Sequence, residues 1–224
     1  MREFSFTPKR RKKKALSFLS VLLLIFGILA IYSFLTYRSI SAKGKVLIAS
    51  AKELKTAFSK NDIDLLNSEL KDFSNKYDNF KKSAQSVYWA SFIPYVADFK
   101  NAVEAGDYLV QAGEESIKAI TPYADLIGFK KGQSSFVEKS AEDRLQTAIL
   151  TLDKVLAKVD PISEDIKQAE IRIVKIDSRR YPKKIGKTFV RDRIENIKQQ
   201  FSGLASLFVE AKPLVKKIAR NFRQ

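Results

Sequence analysis

Between residues 15 and 37 the chain carries no charge, and beyond residue 43 its apolar positions recur in alternating steps of three and four. The two patterns predict two kinds of helix. The uncharged run, Ala15 to Tyr37, would cover roughly 34 Å as a helix at ~1.5 Å per residue, enough for a ~30 Å hydrocarbon core. Ser17, Ser20 and Ser33 are compatible with it, because a helical Ser can bond back to a carbonyl one turn earlier. Tyr32 and Tyr37 sit toward one end, where rings favour the membrane–water interface. A cleaved signal would have a shorter apolar region followed by a small-x-small site. Ser39-Ile40-Ser41, beside Arg38, is a poor one. The run therefore predicts an uncleaved transmembrane helix.

The second pattern starts at Lys43, with Leu47, Ala51, Leu54 and Phe58. It continues through Ile63, Leu66, Leu70, Phe73, Tyr77, Phe80, Ala84 and Val87, then Val96, Phe99, Val103, Gly106, Val110, Gly113, Ile117 and Ile120. Further runs begin at Ala141, Ile162 and Val190. Such seams belong to helices packed at shallow angles. Breaks are expected at Asn61 (an N-cap), Pro94, Thr121-Pro122, Gly128–Ser135, Asp160-Pro161 (N-cap and N1 Pro), Tyr181–Lys184 and Pro213. No alternating β-branched run competes. The expected fold is all-α: an N-terminal transmembrane helix, then an elongated antiparallel helical bundle with coiled-coil-like seams. The expected organisation is a basic tail at 1–14, the span at 15–37, a stalk helix at 38–60 and the bundle at 61–224.

Charge sets the expected orientation. Lys9, Arg10, Arg11, Lys12, Lys13 and Lys14 abut the span on one side, while Arg38, Lys43 and Lys45 follow more sparsely. The denser side stays in the cytoplasm, leaving the bulk of the chain outside it. Residues 38–171 carry 19 basic and 20 acidic residues, whereas residues 172–224 carry 15 basic and four acidic. That C-terminal block contains Arg179, Arg180, Lys183, Lys184, Lys187 and Arg191, candidates for contact with an anionic surface. Lys184, Lys187, Arg191 and Lys198 would share one stripe if the segment were helical throughout. Outside the cytoplasm, anionic lipid or an acidic wall polymer is a better partner than nucleic acid. A plain solvated face is the alternative.

The chemistry is sparse. The chain has no His and no Cys, so it lacks an imidazole base, a thiolate nucleophile and a disulfide. Adjacent acids (Glu114-Glu115, Glu142-Asp143, Glu164-Asp165) point about 100° apart on a helix and do not converge. Asp62-x-Asp64 lacks the rest of a calcium loop, and Gly128–Gly132 lacks the features of a phosphate loop. No catalytic, cofactor or metal site is expected, and the chain reads as no enzyme. Gly106 and Gly113 fall on a seam, where a Gly costs about 1 kcal/mol relative to Ala, so close packing of a neighbouring helix is expected there. The aromatic corner Tyr88-Trp89-Ala-Ser-Phe92-Ile-Pro94-Tyr95 reads as the packed end of a bundle, with a sugar or a membrane surface as alternative contacts.

Several stretches resemble the N-terminal helical region of the domain-of-unknown-function 4012 family of bacterial single-span envelope proteins. They are Trp89–Val96, Ala105–Ser116 running on to Pro122–Phe129, Ile176–Pro182 and Ala211–Leu214. Their order, together with the basic tail and the span, carries the resemblance. It implies an envelope location and a helical stalk, and no known reaction. In that family a larger second domain follows the helices, so the resemblance implies a truncated member or a fragment. The reading at this level is a non-enzymatic, membrane-anchored scaffold or interaction module that packs with itself or a partner. The alternatives are the input region of a sensor and a basic adaptor for anionic polymers.

Overall fold

Five α-helices account for most of the computed structural model, which describes residues 9–124 and 140–221. The side chains of 9–21, 26, 141, 144–158, 204, 208, 209, 211, 212 and 214–221 lie outside that description. The helices are α1 (Lys9–Ser59), α2 (Ile63–Gln85), α3 (Pro94–Ile120), α4 (Ala141–Val174) and α5 (Val190–Asn221). Among the described residues there is no strand, only an isolated bridge between Ile185 and Thr188. The all-α expectation holds. The chain divides into two units, residues 1–42 and residues 43–224.

The first unit is helical from Lys9 onward. From Leu22 the helix is long and apolar enough to cross a membrane, with a window of mean hydropathy 1.7 of which no part is buried. Leu23, Leu24, Ile31, Phe34 and Leu35 all face outward. A helix in the core of a soluble domain would instead bury its apolar residues.

In the second unit each helix runs antiparallel to the next, as the order of their contacts shows. Residues 43–59, expected as a separate stalk, belong to this unit. Lys43 donates to Ser83 at 2.6 Å and Ser50 to Asp72 at 3.1 Å, while Ala57 packs with Ile63 and Leu66. On α3, Gly106 faces Tyr77 of α2 and Gly113 faces Leu70. The Tyr77 hydroxyl donates to the Val103 carbonyl, and burial pushes its phenol well above the ordinary value.

A second buried face of α3 lies outside the seam that runs from Val96 to Ile120. Asp98, Ala105, Ala112 and Ala119 recur every seven residues and all are buried. Ala105 packs with Ala169 and Ile173, and Ala112 with Ile162, Ile166 and Ala205. The glycine face thus meets α2, and the alanine face meets α4 and α5. Small residues let the backbones approach, and ion pairs bridge the margins. Arg172 reaches Glu104 at 2.6 Å, and Lys81 reaches Asp107 at 2.6 Å.

Four expected breaks differ in the structure. The N-cap of α2 is Asp62, whose side chain accepts from the Leu65 amide, while Asn61 adopts φ +50° in the preceding turn. Asn tolerates that left-handed conformation better than most residues. Thr121–Tyr123 form a 3-10 turn at the end of α3 whose N-cap is Ile120 rather than Thr121, and the residues beyond Ala124 lie outside the described residues. Pro161 and Pro213 lie inside α4 and α5 rather than at helix boundaries. Ile162, Ile166, Ala169 and Ile173 carry α4 past Pro161 along the core, and their burial offsets the missing amide. The loop expected at Gly128–Ser135 lies outside the described residues.

An interior proline forfeits a hydrogen bond and crowds the carbonyl four residues back, at about 3 kcal/mol, and replacing it also loosens the unfolded chain by up to about 1 kcal/mol. Pro161→Ala is therefore expected to raise stability by about 1–2 kcal/mol in urea unfolding. A neutral or destabilising result would fit a helix that begins at Pro161.

Candidate functional site

Exposed aromatic and basic side chains collect at one end of the second unit. That end is defined by Lys43, the first residue of the unit, which is held to Ser83 near the end of α2. A Cβ on the neighbouring Gly44 would touch the Phe80 ring at 3.6 Å. After Gln85 the chain turns through residues 86–93, with a 3-10 turn at Tyr88–Ala90, and α3 begins at Pro94. Pro94 occupies the first turn of α3, where its missing amide hydrogen costs nothing.

The aromatic corner is not the packed end expected from its bulk. Trp89 is 65% exposed and Phe92 77%, and Ile93 and Tyr95 are exposed as well. Only Ala90 is buried. Tyr88 is the exception among the rings: burial, reinforced by Glu104 and Asp107, pushes its phenol up to about 12. Trp89 and Phe92 lie with ring centroids 6.4 Å apart.

The basic block folds against this corner. Tyr95 donates to the Arg180 carbonyl at 2.8 Å, and its ring meets Tyr181 edge to face with centroids 5.5 Å apart. Arg180 donates to Asp98 at 2.8 Å, and the Asp98 side chain is only 1% exposed. Arg179 pairs with Asp177 at 3.0 Å. Hydrogen bonds from the Arg179 side chain and amide hold the Asp177 carboxyl below its usual range. Arg191 donates to the carbonyls of Arg179 and Tyr181 at 3.2 and 2.9 Å. Lys198 donates to the Ile176 carbonyl at 3.0 Å.

The six basic candidates therefore divide in two. Arg179 and Arg191 bond within the loop region, and Arg180 ties it to Asp98 of α3. Lys183, Lys184 and Lys187 stand exposed on it, with Lys184 5.2 Å from the centroid of the Phe189 ring. The helical stripe expected through Lys184, Lys187, Arg191 and Lys198 does not form. Residues 181–189 are a loop that turns at Gly186, whose φ of +57° suits glycine, and α5 starts only at Val190.

Behind this end lies an apolar cavity of about 420 Å³, lined by Asp98, Phe99, Leu109, Ile173, Tyr181 and Phe201 among others. Asp98 is the functional-looking residue that the sequence reading missed. Its signal was its place at the head of the seven-residue alanine repeat, where a carboxylate needs a partner.

The adjacent acid pairs behave mainly as surface groups. Glu114 accepts from Ser74 at 2.7 Å, and Glu115 pairs with Lys118. Across α3 and α4, Asp165 is raised by burial and then by the nearby Glu115. A further acidic group, Glu53, Glu69 and Asp72, gathers between α1 and α2. Lys76 serves it from within, 2.6 Å from Asp72 and 3.9 Å from Glu53. Lys9 to Lys14, expected to orient the span, are helical in backbone, and their side chains lie outside the described residues. No family, curated protein or solved structure matches the chain.

Proposed function

We propose that this chain is a non-enzymatic, single-span membrane protein whose helical bundle acts outside the cytoplasm as a scaffold or interaction module. The observation that carries the reading is the apolar helix from Leu22, no part of whose most apolar window is buried, preceded by six consecutive basic residues. A bilayer is the solvent that such a surface fits, and the basic flank keeps its side in the cytoplasm. The absence of His and Cys supports a non-enzymatic role. Membership of the domain-of-unknown-function 4012 family, and with it a bacterial envelope location, is part of this proposal. It rests on the order of the resembling stretches.

Alkaline carbonate extraction of membranes tests the reading. The full chain is expected to stay in the membrane pellet. Ile25→Arg combined with Ile28→Arg is expected to release much of it, because each charge at the centre of a span costs about 2.5–3.5 kcal/mol on insertion scales. Release of the unaltered chain would overturn the proposal.

A further inference from the structure

We propose that the aromatic corner and the exposed lysines of the 181–189 loop form a platform that seats on anionic lipid headgroups. The inference rests on the reading of residues 15–37 as a membrane span.

Both features lie at the end of the second unit where the chain comes in. The Lys43–Ser83 bond places the start of the unit beside the last turn of α2, and the aromatic corner follows that turn directly. The Tyr95–Arg180 bond and the Tyr95–Tyr181 contact hold the basic loop against the corner. Lys43 is six residues past Tyr37, the last uncharged residue of the run. Six residues reach at most ~20 Å even when fully extended, so the point where the chain enters the unit is tethered within that reach of the end of the run.

The chemistry suits that surface. Trp89, Phe92, Ile93, Ile185 and Phe189 are exposed together with Lys183, Lys184 and Lys187. Large exposed apolar groups mark a surface that something covers. Trp and Tyr favour the headgroup level, where an apolar ring and a polar edge are both served. Basic side chains beside them are drawn to anionic headgroups. Between Asp177 and Asp192 the chain has six basic residues and no acidic one.

A second copy of the chain is a poorer occupant. A two-fold contact would bring this basic patch against itself, and like charges repel across such an interface. A soluble polyanion offers the lysines a partner but gives Trp89 and Phe92 no apolar layer. An anionic bilayer provides both.

Trp89 is the sole tryptophan, so its fluorescence reports on the platform alone. The full chain would be reconstituted into nanodiscs of neutral phosphatidylcholine, or of the same lipid with a third phosphatidylglycerol, with and without bromine on the acyl chains. In the anionic discs the expected result is a blue-shifted emission, at least twofold quenching by brominated lipid and protection from aqueous acrylamide. Replacing Lys183, Lys184 and Lys187 together by Gln is expected to remove most of the quenching, as is 1 M salt, where the Debye length is ~3 Å. Circular dichroism should be unchanged, because these side chains stand in solvent.

Trp89 that stays open to acrylamide in a disc-embedded chain would overturn the platform while leaving the span intact. Equal quenching in neutral discs, or quenching unmoved by the triple substitution, would overturn it too, because the lysines would then take no part. A blue shift without bromine quenching would place Trp89 against protein, as in a second copy, and would equally overturn it. A chain that does not enter the discs would contradict the span and the platform together.

Discussion

Arg180→Ala is expected to destabilise the second unit by about 3 kcal/mol, the cost of leaving a buried carboxylate without its counter-charge. Asp98 is buried in the wall of an apolar cavity and receives the Arg180 guanidinium at 2.8 Å. Arg180 itself is 38% exposed in its side chain, so water can partly replace it, which keeps the expectation at the lower end of the range for broken buried pairs. The pair joins the second turn of α3 to the loop after α4, across 82 residues of sequence. Its loss should therefore also free the loop that carries Lys183, Lys184 and Lys187. Asp98→Asn together with Arg180→Gln removes both charges and should recover more than half of the loss. Urea unfolding of the full chain in detergent, followed by circular dichroism, reads both effects. A single variant within 0.5 kcal/mol of the parent, well below the roughly 3 kcal/mol expected for this class of change, would show that Asp98 does not depend on Arg180.

The two seam glycines are expected to respond with opposite signs. A Cβ at Gly106 would lie 2.9 Å from both Cε2 and the hydroxyl oxygen of Tyr77. That ring is rigid and buried, and its hydroxyl is bonded to Val103, so it cannot swing aside cheaply. Gly106→Ala should lower stability, and Gly106→Leu should lower it by about 3 kcal/mol, the upper end of typical overpacking costs. At Gly113 a Cβ would lie 3.6 Å from Leu70, an ordinary contact. Gly113→Ala should therefore gain up to about 1 kcal/mol of helix propensity. Thermal or urea melts of the three variants decide the point. Equal effects at the two positions would contradict the packing of α3 on α2.

Periodicity made much of this fold legible. The 3-4 steps from Ile63 and from Val96 identify the faces that meet between α2 and α3, and short connections imply antiparallel neighbours. Two kinds of feature were harder to read. A proline after an aspartate looks the same whether it opens a helix or sits within one. Only the burial of Ile162, Ile166 and Ala169 shows that α4 continues through Pro161. Hydrophobicity also does not reveal exposure, so Trp89 and Phe92 read as core when they are surface. The basic block was visible as composition, but its division was not. Arg180 is committed to a carboxylate far away in sequence and Arg191 to backbone carbonyls, whereas Lys183 and Lys187 remain exposed. Such long-range pairing leaves no local pattern. Asp98 could have been suspected, because it heads the repeat Ala105, Ala112, Ala119 on a helix whose other seam was already accounted for.

We propose that one apolar helix separates a basic cytoplasmic tail from a helical bundle on the other side of the membrane. Protease protection tests it most directly. Protease is added to cells whose outer layers have been opened but whose plasma membrane is sealed, and the products are read with antibodies to each end of the chain. The account predicts digestion of the region beyond Tyr37 while the segment up to Lys14 is protected. Protection of the bundle with loss of the N-terminal tail would contradict it.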